Sequence, residues 1–310
     1  MYFLLQTKFS GIGQAALKYV TLSPDFKPVE SVEDIPEGSK VFYFMLPIDD
    51  NINKLKTMIS MGCDVNCMTV CETETVHSDY GKIIELVGNR KKLFVPSDFC
   101  KRVFEKQFDC HCTVLRHYVP HKWPLKPTEY PQSKPYVFYH IGNILDPRKN
   151  ISMLLDAFNE LKLDNCKLFI KATSTRAVKS TQPNIFILNG FVEDIVLEQL
   201  HYNSHCYVSC SHSEGVGMGA VEAALHNKPV IISEYGGAVE YIKTPFLVGC
   251  EKGEIGFDDF LFKSDMVWGK PKYNDLLTHM KTCYENRLTY MEHAHTHETV
   301  SISSGDLYQE

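Results

Sequence analysis

The chain has 310 residues, 44% of them hydrophobic and 23% charged, with a formal net charge of -6. This composition excludes a disordered, collagen-like or coiled-coil chain. The mildly acidic balance speaks against a dedicated nucleic-acid binder, whose footprint is a concentrated basic surface. A single core stops growing at about 250–300 residues, so two domains are expected.

No apolar run approaches the ~18 residues that cross a bilayer; the stretch VFYFML at 41–46 is among the longest. The N-terminal MYFLLQTK has no basic region ahead of its short apolar stretch and reads as a first strand, not a secretory leader. Eleven cysteines without a Cys-x-x-Cys pair fit free thiols in a reducing compartment. The expected location is cytoplasmic, with membrane contact at most peripheral.

In chain order, strands are predicted at 2–5, 41–46, 65–70, 92–95 and 113–115, separated by helical stretches at 14–20, 51–61, 79–87 and 98–106. The segment PHKWPLKPTEYPQSKP (120–135) then carries five of the 15 prolines. Each fixes φ and removes a backbone donor, so the segment reads as an extended linker. Beyond it, strands at 137–141, 167–170, 185–188, 206–209 and 229–233 alternate with helices at 151–161, 193–202 and 217–226. Strands alternating with helices argue for parallel sheets covered on both faces, and two such series argue for two doubly wound, Rossmann-like α/β domains. The expected division is a first domain at 1–120, a linker at 121–135 and a second domain at 136–273. A late helix from Asn274 to about His293 is expected to pack back across the interface, followed by a loose tail. Residues 1–125 carry equal numbers of acidic and basic side chains, so the whole excess of negative charge lies in the second part.

The most informative segment is SCSHSEGVGMGAVEAALHNKPVIISEYGGAVE (209–240). It reads as a strand, a glycine-broken turn, a helix and a buried strand. Gly215, Gly217 and Gly219 let backbone approach a ligand closely, and a following helix aims N–H groups at it, which suits a phosphate. Glu214 and Glu222 are eight positions apart, about 12 Å if both stood on one helix at ~1.5 Å per residue.

This segment resembles the Glu-x7-Glu signature of the retaining glycosyltransferases of family four, which have the GT-B fold. NKPVIISEYGGAVEYI (227–242) is similar to that family's continuation after the signature. YHIGNILDPRKNISMLLDAFNEL (139–161) resembles its phosphate-binding loop, with Arg148 and Lys149 matching the basic residues that hold the donor diphosphate and Asn143 standing where many relatives have arginine. In the first domain, FSGIGQAALKYV (9–20) resembles a glycine loop opening a helix near the donor phosphates, and CETET (71–75) and VPSDFCKRVFEK (95–106) resemble further elements.

The resemblance implies a GT-B architecture with two Rossmann-like domains facing a central cleft, the first domain shortened. It implies a retaining, metal-independent transfer of a sugar from a UDP- or GDP-sugar to a carbohydrate acceptor hydroxyl, with no cofactor required. The implied catalytic residues are Glu214, Lys149 and Arg148. The implied donor-binding residues are Gly13, Gly142, Asn143, Phe191, Gly215, Val216, Gly217, Met218 and Glu222, the last meeting the ribose. Glu72, Glu74 and His77 are acceptor-side candidates.

Other readings stay open: a catalytically idle GT-B nucleotide- or glycan-binding module or partner subunit, or a sugar-nucleotide epimerase. Cys63, Cys67 and Cys71 read as buried structural thiols. The crowd of His201, His205, Cys206, Cys210 and His212 straddles a helix end and a strand, and so does not converge as zinc ligands must.

Overall fold

A computed structural model of the chain describes residues 1–6, 10–87, 92–120, 134–174 and 176–293. Most of the expected linker and the tail from Thr299 lie outside the described residues. The chain divides into two compact units. One gathers Met1–Pro120 with Glu254–Val267, and the other gathers the stretch up to Gly253 with the residues from Trp268. Residues 254–267, expected with the second domain, thus group with the first.

The first unit is built on β1 (Tyr2–Leu4), β2 (Lys27–Val29), β3 (Lys40–Phe44), β4 (Asp64–Met68), β5 (Leu93–Val95) and β6 (Cys112–Val114), in the order β2-β1-β3-β4-β5-β6. Neighbouring strands are parallel. Such strands are buried on both faces and need near-continuous apolar sequence. β3 supplies it with Val41, Phe42, Tyr43 and Phe44, each no more than 1% exposed. Its Phe42 lies in register with Phe3 of β1, and the two rings stack at 5.5 Å. β2 escaped prediction because it holds Pro28 and is largely exposed. An edge strand tolerates a proline that a central strand cannot.

The second unit holds β7 (Tyr136–Gly142), β8 (Cys166–Ala172), β9 (Ile185–Asn189), β10 (Cys206–Ser209), β11 (Val230–Ser233) and β12 (Leu247–Val248), in the order β12-β11-β10-β7-β8-β9, again parallel. From β7 the chain winds outward through β8 to β9; from β10 it winds the other way to β12. The crevice outside the carboxyl ends of β7 and β10 is therefore a topological switch point, where sheets of this kind bind ligands.

Helices α1 (Gly11–Val20), α2 (Asp49–Ser60), α3 (Tyr80–Val87) and α4 (Asp98–Gln107) belong to the first unit. Helices α5 (Ile151–Leu161), α6 (Asp194–Asn203), α7 (Met218–Leu225) and α8 (Tyr273–Glu285) belong to the second. The buried side of α8, with Leu276, Met280 and Cys283, joins the second unit's own core beside Leu154 and Phe158 of α5. The helix ends earlier than expected, at Glu285, because Asn286 caps it and Arg287 takes a left-handed φ of 50°. Strands β13 (Cys250–Glu254) and β14 (Val267–Pro271) pair with each other outside both sheets. All eleven cysteines are free thiols, and Cys63, Cys67 and Cys71 are buried.

Candidate functional site

The site is built where β7 and β10 end. β7 closes on Gly142, where a Cβ would lie 2.8 Å from His140 Nε2 and 3.6 Å from Lys149 Cε. Glycine here leaves room for the His140 ring, while Lys149 passes at ordinary contact distance. Asn143 then turns the chain: its Oδ1 accepts from the Leu145 N–H at 3.2 Å and its carbonyl from the Asp146 N–H at 3.1 Å. Asp146 caps the single 3-10 turn Pro147–Lys149 by accepting from the Arg148 N–H at 2.9 Å, with proline at the first position, where no N–H is needed. Asn150, at a left-handed φ of 51°, leads into α5.

The loop after β10 is stitched to this turn. The His212 N–H donates to the Arg148 carbonyl at 2.8 Å, and Asn150 Nδ2 donates to the Cys210 carbonyl at 3.2 Å. These contacts bring Glu214 against both cations. Lys149 Nζ donates to its Oε1 at 2.5 Å, and Arg148 Nη1 donates to its Oε2 at 3.1 Å. Arg148 is further braced on the Ser213 carbonyl at 2.7 Å and on Asp146 Oδ2 at 3.1 Å. The side chains of Glu214, Arg148 and Lys149 are 14%, 11% and 15% exposed, so solvent screens these pairs only weakly.

Two glycines set the backbone around Glu214. Gly217, at φ 73°, caps α7 in a conformation side chains rarely adopt. Gly236, at φ 81°, lies under the Glu214 peptide, and a Cβ there would come within 2.7 Å of the Glu214 carbonyl oxygen and 2.9 Å of Ser213 Oγ. The next residue, Gly237, donates its N–H to the same carbonyl at 2.8 Å. The Gly-Gly pair of the sequence is therefore the seat of Glu214. A small pocket opens beside it, lined in part by Lys149, Tyr207, Ser209, Ser211, Glu214, Gly217 and Met218.

Burial alone would raise the Glu214 pKa, but Lys149, Arg148 and the hydrogen bond from Lys149 outweigh it and bring the carboxyl down to about 2. It is ionised throughout the neutral range. His140, beside Lys149 at the end of β7, donates Nδ1–H to the Val208 carbonyl at 2.8 Å; burial holds its pKa down to about 4, so it is neutral.

Several expected residues meet here: Glu214, Lys149, Arg148, Gly142, Gly217 and Met218. Gly215 and Val216 are buried and stand outside the pocket lining, as does Arg148. Asn143 is exposed and caps its own turn. Glu214 sits in the loop, not on α7, so the 12 Å helical spacing to Glu222 does not apply. Glu222 lies in α7, its Oε2 3.9 Å from His201 Nε2. Phe191 is 52% exposed, beyond the end of β9; there the buried Lys171 donates to the carbonyl of Gly190.

The remaining candidates are on the first unit. Gly11–Gly13 form the first turn of α1 and not a loop before it, and the Gly13 N–H is taken by the capping Ser10 Oγ at 3.0 Å. His77 Nδ1 accepts from the Asp79 N–H at 3.2 Å ahead of α3. The Glu74 N–H donates to the Val267 carbonyl at 2.9 Å. Among the described residues, no group of three or more His, Cys, Asp or Glu could hold a metal ion, and no helix is long and apolar enough to cross a membrane.

Asp146, Tyr207, Ser209, Ser211 and Gly236 went unnoticed as site residues in the sequence. Asp146 had a usable signal, as a capping residue directly before a proline; the serines gather only once β10 and the turn after β7 are placed together.

Residues 135–255 match the family model described as Glycosyl transferases group 1. No curated protein sequence matches the chain. Among solved structures, a glycosyltransferase from Rickettsia africae is 14% identical with a TM-score of 0.61, over 92% of this chain and 87% of that one. The lipopolysaccharide outer core galactosyltransferase WaaB is 12% identical with a TM-score of 0.58, over 94% of this chain and 91% of that one. TarM of S. aureus, solved with UDP and alpha-GlcNAc-glycerol, is 14% identical with a TM-score of 0.52, over 79% of this chain. The chain spans about half of TarM, 48%. At these identities the likeness speaks for fold: two Rossmann-like units as in the GT-B glycosyltransferases, the second containing the segment that matches the group 1 glycosyl transferase model.

Proposed function

We propose that the chain is a retaining glycosyltransferase that moves a sugar from a nucleoside-diphosphate sugar to a hydroxyl of a carbohydrate acceptor. The observation that carries this reading is Glu214 held between Lys149 and Arg148 at the switch point of the second sheet. TarM, whose structure contains UDP, supports the choice of donor class.

The residues divide the work. Lys149 lines the pocket and meets the donor diphosphate. Arg148, tied to Asp146, Ser213 and Glu214, braces the loop and keeps Glu214 in place. The first N–H groups of α7 have no intrahelical acceptor and point at the leaving phosphate. As the bond from the sugar C1 to the diphosphate oxygen breaks, negative charge grows on that oxygen. A cation and a helix terminus already in place stabilise this charge more than they stabilise the bound donor, which is where rate comes from. Glu214, ionised by its cations, accepts hydrogen bonds from donor hydroxyls and opposes the positive charge growing at C1. Glu222 takes the ribose hydroxyls, and Glu72, Glu74 and His77 are kept as acceptor-side residues.

The test is donor turnover by the purified chain. A nucleoside-diphosphate sugar and a carbohydrate acceptor should yield free nucleotide and a glycoside of unchanged anomeric configuration. Nucleotide binding without turnover across donors and acceptors would favour an idle binding module, and an altered sugar formed without acceptor would favour an epimerase.

A further inference from the structure

The buried contacts behind Glu222 are not used by the chemistry above. We infer that His201 is a positioning residue for Glu222, holding that carboxylate where it meets the ribose hydroxyls of a bound nucleotide. The inference rests on the donor site proposed for the second unit.

Tyr139 of β7 is fully buried, and its hydroxyl lies 2.8 Å from His201 Nδ1. We assign the phenol as the donor, which makes Nδ1 the acceptor and leaves the imidazole proton on Nε2. That Nε2 is buried with no hydrogen-bond partner, and the Glu222 Oε2 stands 3.9 Å from it. His201 itself is 2% exposed, whereas the Glu222 side chain is 23% exposed. The carboxylate thus has one side toward a fixed donor and another toward solvent. An orphaned buried N–H is costly, and a swing of about 1 Å by Glu222 would bring it to hydrogen-bond distance.

The imidazole cannot easily turn away. The His226 ring stacks on it at 4.7 Å and 17°, and the Tyr139 ring meets it edge-on at 5.4 Å. Burial, followed by His201, holds His226 down to about 4, so at neutral pH His226 is uncharged. A carboxylate offers about four acceptor sites, so accepting from Nε2–H does not exclude two vicinal hydroxyls. Fixing Glu222 before binding lowers the ordering cost of the complex.

The experiment is calorimetric titration of the full chain with UDP and GDP and with their 2′,3′-dideoxy forms. The variants are His201→Leu, His201→Gln, Tyr139→Phe and Glu222→Gln, each checked for an intact unfolding transition. For whichever ribonucleotide binds, His201→Leu should weaken binding about fivefold or more, the order expected for losing a hydrogen bond to a charged group. The dideoxy form should bind the wild type and His201→Leu alike. His201→Gln, which keeps an N–H near the Nε2 position, should restore most of the loss. Tyr139→Phe, which frees the tautomer without opening a cavity and serves if the leucine variant does not fold, should weaken ribonucleotide binding about threefold. Equal weakening of ribo and dideoxy forms, or no effect of either variant while Glu222→Gln does weaken binding, would overturn the positioning role and leave the donor site standing. Failure of the wild type to bind either nucleotide would overturn the donor site, and the role with it.

Discussion

Lys149 Nζ and Glu214 Oε1 lie 2.5 Å apart, although 65 positions of chain separate the two residues. The contact exists because the turn after β7 and the loop after β10 meet at adjacent strand ends. It makes both residues sensitive to substitution, in different ways. Lys149→Ala should lower kcat by about 10²–10³, as removal of a donor aimed at developing charge does in other enzymes, while the unfolding midpoint changes little because Arg148 still pairs with Glu214. Steady-state kinetics beside a thermal melt checks both parts.

Glu214→Gln keeps the shape and removes the charge. Two cations then face a neutral amide, and the support for positive charge at C1 is lost. Turnover should fall about 10²-fold, with a modest loss of stability, by the same pair of measurements.

Arg148→Ala should behave in the opposite proportion to Lys149→Ala. It strips partners from the Ser213 carbonyl, Asp146 and Glu214 at once. The expected loss is about 2–3 kcal/mol of stability, read by chemical denaturation. A stable Arg148→Ala protein would contradict the bracing role.

Gly236→Ala tests the seat of Glu214. The new methyl group meets backbone at 2.7 Å, and the φ of 81° is one that alanine resists. A cost of at least about 2 kcal/mol is expected from the strain and the displaced loop, together with reduced turnover. Gly38→Ala, at φ 69° but with nothing within 4 Å of the new Cβ, is the control: it should cost only the backbone strain and leave turnover intact.

Stability should fall with acid well before the Glu214 carboxyl titrates. Burial lowers His140 and His226 to about 4 and His117 and His205 to about 3. Unfolded histidine takes up a proton near pH 6.5, so below that pH the unfolded chain binds more protons and gains on the folded one. Their contribution is complete above pH 6.5 and fades as pH drops toward 4 and 3. Glu214, held below the ordinary carboxylate value, adds its own loss only between about pH 4.5 and 2. Unfolding at pH 5 should therefore take up protons, which denaturant midpoints measured from pH 8 to 4 reveal as a steady decline.

The parallel strands were legible because burial on both faces demands apolar runs such as 41–45 and 230–232, and glycine-broken turns mark their ends. Pro28 concealed an edge strand, and the charged 250–254 carries no periodicity that would reveal a pairing. The candidate site was legible where a residue stands in a short local motif, Lys149 in the turn after β7 and Glu214 and Gly217 in the loop after β10. It was not legible where side chains converge from distant elements. Nothing near Tyr139 in sequence announces His201, and Gly236 reveals its purpose only when the Glu214 peptide is found above it. Glu214 precedes the left-handed Gly217 that starts α7, in keeping with the helix predicted at 217–226, so the two carboxylates have different supports.

The measurement that bears most directly on the whole account is release of nucleotide from UDP- and GDP-sugars by the purified chain, with and without carbohydrate acceptors, comparing the wild type with Lys149→Ala. The account requires acceptor-dependent release by the wild type and a loss of about 10²-fold or more in the variant. Release that is equal in both proteins, or wild-type binding of donor without release under any acceptor, would contradict it.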